Sequence, residues 1–101
     1  MEPIKREITI AGKRAKIRER IPLRDGSRIQ TLMQAAGNSE ELRDYVPIFA
    51  LLLEPCELVP DPSDAAAYEE MDTFDIILPL VDWTGLYCLS RVAAAREAAK
   101  N

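Results

Sequence analysis

The chain has 101 residues, of which 48% are hydrophobic and 30% are charged, so its composition is that of a globular protein and not of a disordered one. Its length provides for one hydrophobic core, which predicts a single domain over residues 1–101. The formal net charge of −4 combines +5 over residues 1–30 (nine basic and four acidic side chains) with −9 over residues 31–101 (four basic and thirteen acidic).

A β-hairpin is predicted for residues 4–21, because apolar and polar side chains alternate on both sides of a turn at residues 11–13. One face of the hairpin is apolar, and the other collects four basic side chains: Arg14, Lys16, Arg18 and Arg20. Pro22 stops the second strand. We therefore predict that residues 1–22 form a basic hairpin whose apolar face packs on the helices that follow.

The remaining residues, 23–101, are predicted to form a helical body of four to five short helices, which makes the fold class α+β. Apolar residues at helical spacing predict the first helix over residues 28–36. The turn residues 25–27 supply its N-cap, and Gly37 with the following Asn38 ends it.

Ser39 is placed to cap a second helix, with two glutamates in the first turn. Pro47 predicts a kink or a restart in that helix, before a buried apolar run at residues 48–53. The next segment, residues 54–62, contains prolines and acidic residues, so we predict an exposed loop.

Asp61 is predicted to cap a third helix, with Pro62 at its first position. An apolar repeat over residues 71–81 predicts a further helix, kinked at Pro79. Asp82 or Thr84 then caps a last helix that runs to about residue 99. Its apolar face contains Leu86, Leu89, Val92 and Ala93, and Trp83 at its start is expected to close the core.

Residues that carry chemistry are sparse in this sequence. There is no histidine, and Cys56 and Cys88 lack the spacing of metal ligands, so we expect free thiols and no zinc site. The four glycines are scattered singly, unlike those of a phosphate-binding loop. We therefore expect a protein that is not an enzyme, with no catalytic residues and no cofactor.

Neither a membrane span nor a secretory signal is apparent. The longest apolar run, residues 48–53, is too short for a bilayer, and the first residues lack the apolar core of a signal peptide. We expect a cytoplasmic protein that has no membrane partner.

The uneven charge admits three interpretations: an acidic partner such as nucleic acid, head-to-tail contact between copies, or a basic hairpin that lies against its own acidic body. Readers of RNA and single strands usually stack bases on aromatic side chains, and residues 1–44 contain none. The net charge is also negative. A nucleic-acid-binding regulator that uses the basic hairpin is therefore the alternative and not the first hypothesis.

The order of several motifs resembles that of the small tail assembly chaperones of long-tailed phages. The motifs are a basic start at residues 5–13, the leucine run at residues 51–53, Phe74 with Asp75, and the segment 82–86, which leads into a closing helix ending at Asn101. Such proteins are small and acidic, act by binding, and coat an extended helical tape-measure protein before the tail tube forms.

The resemblance implies a non-enzymatic assembly chaperone or scaffold that binds a long helical client and associates with itself through head-to-tail charge contacts. In a phage it implies the host cytoplasm as location, and a permanent virion subunit is a further alternative. We take as candidate interaction residues the basic ribbon and the apolar stripes: Arg14, Lys16, Arg18, Arg20, Leu51, Leu52, Leu86, Leu89 and Val92.

Overall fold

The computed structural model describes residues 4–100 and confirms an α+β fold in which an N-terminal hairpin packs on a helical body. The hairpin consists of β1 and β2, and the body contains four α-helices together with one 3₁₀ turn and one π-helical turn. In chain order these are β1 (Glu7–Ile10), β2 (Lys13–Lys16), α1 (Leu23–Gly37), the 3₁₀ turn (Leu42–Tyr45), α2 (Val46–Leu52), α3 (Ala65–Glu69), the π turn (Thr73–Ile77) and α4 (Leu78–Lys100). Asn101, the last residue of the resemblance, lies outside the described residues.

The hairpin is antiparallel, with Ile8 opposite Ala15 and Ile10 opposite Lys13, so Lys13 belongs to the second strand and not to the turn predicted at residues 11–13. Ala11 and Gly12 form a two-residue turn and both have positive φ angles, of 51° and 80°. This is the backbone of a type I′ turn, whose twist matches that of the two strands.

Residues 52–58 run along the outer edge of β2, which corrects the prediction of an exposed loop over residues 54–62. The amide of Leu58 donates to the carbonyl of Arg14 (2.9 Å), and the amide of Glu54 donates to the carbonyl of Lys16 (3.1 Å). Leu58 and Val59 are buried. Apolar contact with the hairpin therefore outweighs the loop-like composition of this segment.

Helix α1 begins at Leu23, five residues before the predicted start. Pro22 lies at the N-cap position, and its carbonyl accepts the amide of Gly26 (2.8 Å). The turn residues 25–27 are thus helical and do not cap the helix. The predicted end is confirmed, because the helix stops at Gly37.

The second helical segment starts later than predicted. The Ser39 hydroxyl accepts the amide of Glu41 (3.0 Å), but the 3₁₀ turn begins only at Leu42. Pro47 lies in the first turn of α2, so the proline restarts the helix and does not kink it. The burial of the following run is confirmed for Ile48, Phe49, Leu52 and Leu53.

Helix α3 is capped by Asp64, whose carboxylate accepts the amide of Ala66 (3.2 Å). The predicted cap, Asp61, instead accepts both the amide and the hydroxyl of Ser63. The helix therefore starts three residues later than the Asp-Pro pair indicates.

Helix α4 is one continuous helix, so a separate last helix capped by Asp82 or Thr84 was a wrong prediction. The cap lies upstream at Asp72, whose carboxylate accepts the amides of Phe74 and Asp75 (3.0 and 2.7 Å). The π turn ends at Ile77, and Pro79 is the second residue of α4. The wider turn accommodates the missing amide of Pro79, so the chain stays helical through it.

Two hydrogen bonds hold the start of the described chain on α4. The indole Nε1 of Trp83 donates to the carbonyl of Lys5 (2.8 Å), and the amide of Ile4 donates to the Ser90 hydroxyl (3.2 Å). We call this pair of contacts the terminal clasp. Trp83 is buried and thus closes the core as predicted, together with the largest fully buried side chains: Ile17, Ile48, Phe49, Leu52, Val59 and Leu80.

The stretch Thr73–Lys100 is long and apolar enough to cross a bilayer, by length and composition alone. The search for the longest uninterrupted apolar run did not find this stretch, because Asp75 and Asp82 interrupt its apolar residues. About a third of its most apolar window (33%) is buried in the protein, and core helices of soluble proteins share the same properties. Length and composition therefore do not assign this helix to a membrane.

Candidate protein-interaction site

The four basic residues of the predicted ribbon have different environments. Arg14 is exposed and pairs with Glu7 on the neighbouring strand (Nη1 to Oε1, 3.0 Å). Lys16 is half-buried opposite Glu7 in the sheet register, and Arg20 is exposed beyond the hairpin. Only Arg14 and Lys16 belong to strand β2, so the four side chains do not form one continuous ribbon.

Arg18 faces the interior of the molecule. Its Nη1 donates to the carbonyl of Leu51 (2.8 Å) and to the carboxylate of Asp25 (3.0 Å). The Asp25 side chain is only 13% exposed, so this ion pair joins the end of the hairpin to α1 and α2. Arg18 therefore has a structural role through Nη1, while its side chain stays 32% exposed.

The hydrogen bond from Arg18 lowers the pKa of Asp25 below its ordinary value of 3.8. A lowered pKa in the folded state contributes stability above the unfolded-state value, and this stability is lost as the pH falls through the folded-state value. We expect the free energy of unfolding to fall over the acid interval below about pH 5, and to fall less in Asp25→Asn. Urea denaturation across this interval measures the difference.

Asp44→Asn provides the matched control for the Asp25 prediction, because Asp44 is exposed and forms no ion pair within the described residues. It should retain the acid dependence of the wild type. Equal slopes for both variants would contradict a special role for Asp25.

The predicted apolar residues also divide into core and surface. Leu52 is fully buried, and Leu51 is half-buried in the same helix. Leu86 and Leu89 are exposed to 51% and 63%, respectively, and Val92 is half-buried. Leu52 therefore presents no surface of its own to solvent, whereas Leu86 and Leu89 of α4 do.

An apolar groove with a volume of about 300 Å³ lies between α1 and α4. Its α1 wall contains Ile29 and Met33, and its α4 wall contains Tyr87, Cys88 and Val92. Glu19 and Arg91 add charged groups to the lining. Of these lining residues the sequence analysis singled out Val92 and also Leu52, which lies at the buried base of the groove, but none of the α1 residues.

Cys88 lies in the wall of this groove as a free thiol. Burial raises the pKa of the thiol above its ordinary value of 9.0, which keeps the sulfur protonated near neutral pH. The side chain therefore contributes apolar surface to the groove and is a poor nucleophile. Cys56, the second free thiol, donates weakly to the carbonyl of Val59 (3.7 Å).

A second cavity, of about 320 Å³, lies between the 3₁₀ turn and α3. Arg43 spans its edge and pairs with Glu69 through Nε (2.8 Å) and Nη2 (3.4 Å). This pair lowers the pKa of Glu69. The Tyr68 hydroxyl, also in the lining, donates to the carbonyl of Pro62 (2.9 Å).

Surface charge is separated along α1. Three exposed arginines, Arg20, Arg24 and Arg28, lie around its first turns. The exposed acids Glu40, Glu41 and Asp44 follow its C-terminal end. Arg24 pairs with Asp25 (3.4 Å), as Arg6 pairs with Glu54 of the body (3.1 Å) and Arg14 with Glu7, and Lys13 is exposed on the hairpin. Exposed basic side chains therefore lie both at the start of α1 and on the hairpin.

No group of three or more acidic or cysteine side chains is arranged to hold a metal ion among residues 4–100. Neither family models, nor curated protein sequences, nor solved structures match this chain. The resemblance to tail assembly chaperones therefore stays a prediction.

Proposed function

We propose that the protein is a non-enzymatic assembly chaperone or scaffold that binds a helical segment of a client protein in the groove between α1 and α4. The observation that carries the proposal is the groove itself, a depression between two helices that is lined mainly by apolar side chains. Grooves of this kind receive the apolar face of an amphipathic helix, with side chains at helical spacing as anchors.

The composition of the groove suits a partner of variable sequence. Met33 has a flexible, polarizable side chain that adapts to different anchors. Tyr87 provides an aromatic wall, and aromatic side chains are enriched at binding sites. Glu19 and Arg91 are placed to pair with charges that flank the apolar face of the client.

Self-association by charge belongs to the same proposal. The exposed arginines at the start of α1 and the exposed acids after its end give each copy two unlike poles, and successive copies on an extended client meet pole to pole. Arg20 is the residue of the predicted ribbon that fits this contact best, since Arg18 is used internally and Arg14 pairs with Glu7.

Co-purification from the native source, followed by binding of the identified helical segment to the purified chain, tests the client. We expect Val92→Asp to weaken that binding about tenfold or more, because it places a charge in the apolar groove. Leu23→Asp is the matched control, since Leu23 is 84% exposed and does not line the groove. Isothermal titration calorimetry measures both affinities.

The proposal fails if Val92→Asp, shown to be folded by circular dichroism, binds the segment like the wild type. It also fails if the protein that travels with this chain offers no helical segment that binds. Gel-shift measurements at low salt address the nucleic-acid alternative, which a robust, salt-sensitive shift would support.

A further inference from the structure

The outer face of α4 carries a regular repeat that the groove does not use. Six exposed residues recur at alternating spacings of four and three: Asp82, Leu86, Leu89, Ala93, Arg96 and Lys100. Such spacing is the a/d seam of a coiled coil, whose average period is 3.5 residues. We call these six residues the α4 seam. Exposed and buried positions alternate only over residues 82–90, and from Ala93 to Lys100 every residue is exposed, so the last three seam residues continue the line by spacing alone.

The opposite face of the same helix is occupied by the core. Leu80, Trp83 and Tyr87 are buried against the rest of the molecule, and the Trp83 indole is held by the carbonyl of Lys5. Because the opposite face of α4 is packed in the core, Leu86 and Leu89 are exposed in the folded protein as it stands. No rearrangement of the body is needed to present them.

Charges at the two ends of the seam are opposite in sign. Asp82 marks the N-terminal end, where Asp75 in the preceding π turn is exposed as well, and Arg96 and Lys100 mark the C-terminal end. None of these four side chains forms an ion pair within residues 4–100. Arg96 and Lys100 are four residues apart on the helix, where like charges repel, and Glu97 is the acidic residue beside them.

We propose that the α4 seam packs antiparallel against the α4 seam of a second copy, to form a two-fold symmetric dimer. When Leu86 of one copy faces Leu89 of the other, position 82 faces position 93 of the second copy, and position 75 faces position 100. Acidic ends then meet basic ends at both sides of the apolar centre. A parallel pair would instead place Asp82 against Asp82 and Arg96 against Arg96, so the charges select the antiparallel pair.

The α4 seam is a second self-association surface, in addition to the pole-to-pole contact along α1 in the proposed function. An isologous pair uses the same patch on both copies and stops at two, whereas pole-to-pole contact along α1 is heterologous and continues. None of the six seam residues lines the groove, although Val92, which does, is next to Ala93 of the seam. A dimer therefore leaves the groove open to the client.

Charge reversal and its rescue test the dimer. Arg96→Glu with Lys100→Glu makes the seam acidic at both ends, and Asp75→Lys with Asp82→Lys makes it basic at both ends. In sedimentation velocity at low salt, we expect each double variant alone to dimerise about tenfold more weakly than the wild type. An equimolar mixture of the two should restore the dimer, because unlike seams then meet.

The apolar centre and the helix direction are tested separately. Leu89→Asp should abolish the dimer with unchanged circular dichroism, since Leu89 is exposed in one copy. In a background without Cys56 and Cys88, a mixture of Asp82→Cys and Ala93→Cys chains should give a disulfide between unlike chains, as the antiparallel register requires.

Several results would overturn the dimer: a mixture of charge variants that stays monomeric, a Leu89→Asp variant that associates like the wild type, or cross-links only between like positions. Co-sedimentation of the wild type, but not of Leu89→Asp, with phosphatidylcholine vesicles would also overturn it, because the seam would then face lipid. Client binding to the groove is measured independently, so a failed dimer and a failed client are distinguished.

Discussion

Replacing Leu52 by alanine is expected to lower the free energy of unfolding by about 2–5 kcal/mol, as large-to-small changes do in packed cores. Leu52 is fully buried in α2, and its carbonyl also accepts the amide of Arg18 (2.9 Å) from the end of the hairpin. The variant therefore leaves a cavity where helix and hairpin meet. Against a total of about 5–15 kcal/mol for a domain, this is a large fraction.

Leu23→Ala is the control for Leu52→Ala, because it makes the same chemical change at a position that is 84% exposed and lies outside both the groove lining and the α4 seam. Its free energy of unfolding should stay within about 0.5 kcal/mol of the wild type. Urea denaturation followed by far-UV circular dichroism measures both variants. Similar losses at the two positions would contradict the division into core and surface leucines.

The second large effect is expected at Trp83. Trp83→Ala removes a buried aromatic ring and the hydrogen bond to the Lys5 carbonyl, so we expect a loss of about 3–5 kcal/mol. The change acts at the terminal clasp, so the N-terminal segment should come away from α4 as well. Hydrogen exchange at the amide of Ile4, which bonds to Ser90, reports this opening directly.

Trp83→Phe separates packing from hydrogen bonding, because it keeps an aromatic ring but has no indole donor. We expect it to lose less stability than Trp83→Ala, while the carbonyl of Lys5 loses its partner, at a cost of about 1–3 kcal/mol. If both variants unfolded like the wild type, Trp83 would not be a core residue. Circular dichroism is the suitable probe, because Trp83 is the only tryptophan and both variants therefore lose the tryptophan fluorescence signal.

The hairpin was predictable because alternation and a Gly-containing turn are local signals, and the register follows from them. The start of α1 was not. Pro22 and Leu23 begin the helix, although Asp25, Gly26 and Ser27 are typical turn residues. Burial of Ile29 and Ala36 on this helix outweighs the cost of a glycine in its first turns, and a local pattern contains no information on that burial.

Proline positions were informative, but their effects depended on context. Pro47 restarts a helix because it falls in a first turn, whereas Pro79 is accommodated by the π turn before it. The sequence offers the same residue in both places. The difference arises from Asp72, which caps the helix early enough for Pro79 to lie inside it.

The candidate site was predictable only where exposure follows from helix periodicity. Leu86 and Leu89 were placed on one face of the last helix, and the structure exposes them. The burial of Leu52 and the internal contacts of Arg18 were not predictable, because a leucine run and an alternating basic pattern do not reveal which members turn inward. Arg18 lies past the end of β2, where the chain turns toward α1 and α2, so the two-residue period no longer describes it.

The terminal clasp bears on the order in which the molecule folds. It joins residues that are 86 and 78 positions apart, whereas the hairpin and each helix close over near neighbours. Local elements form within about microseconds, but the clasp must close a loop almost as long as the described chain. We therefore expect the clasp to form last, with Trp83 in contact with water until then. A partner that meets the chain in this interval encounters the core face of α4, and not the outer face that the folded protein presents.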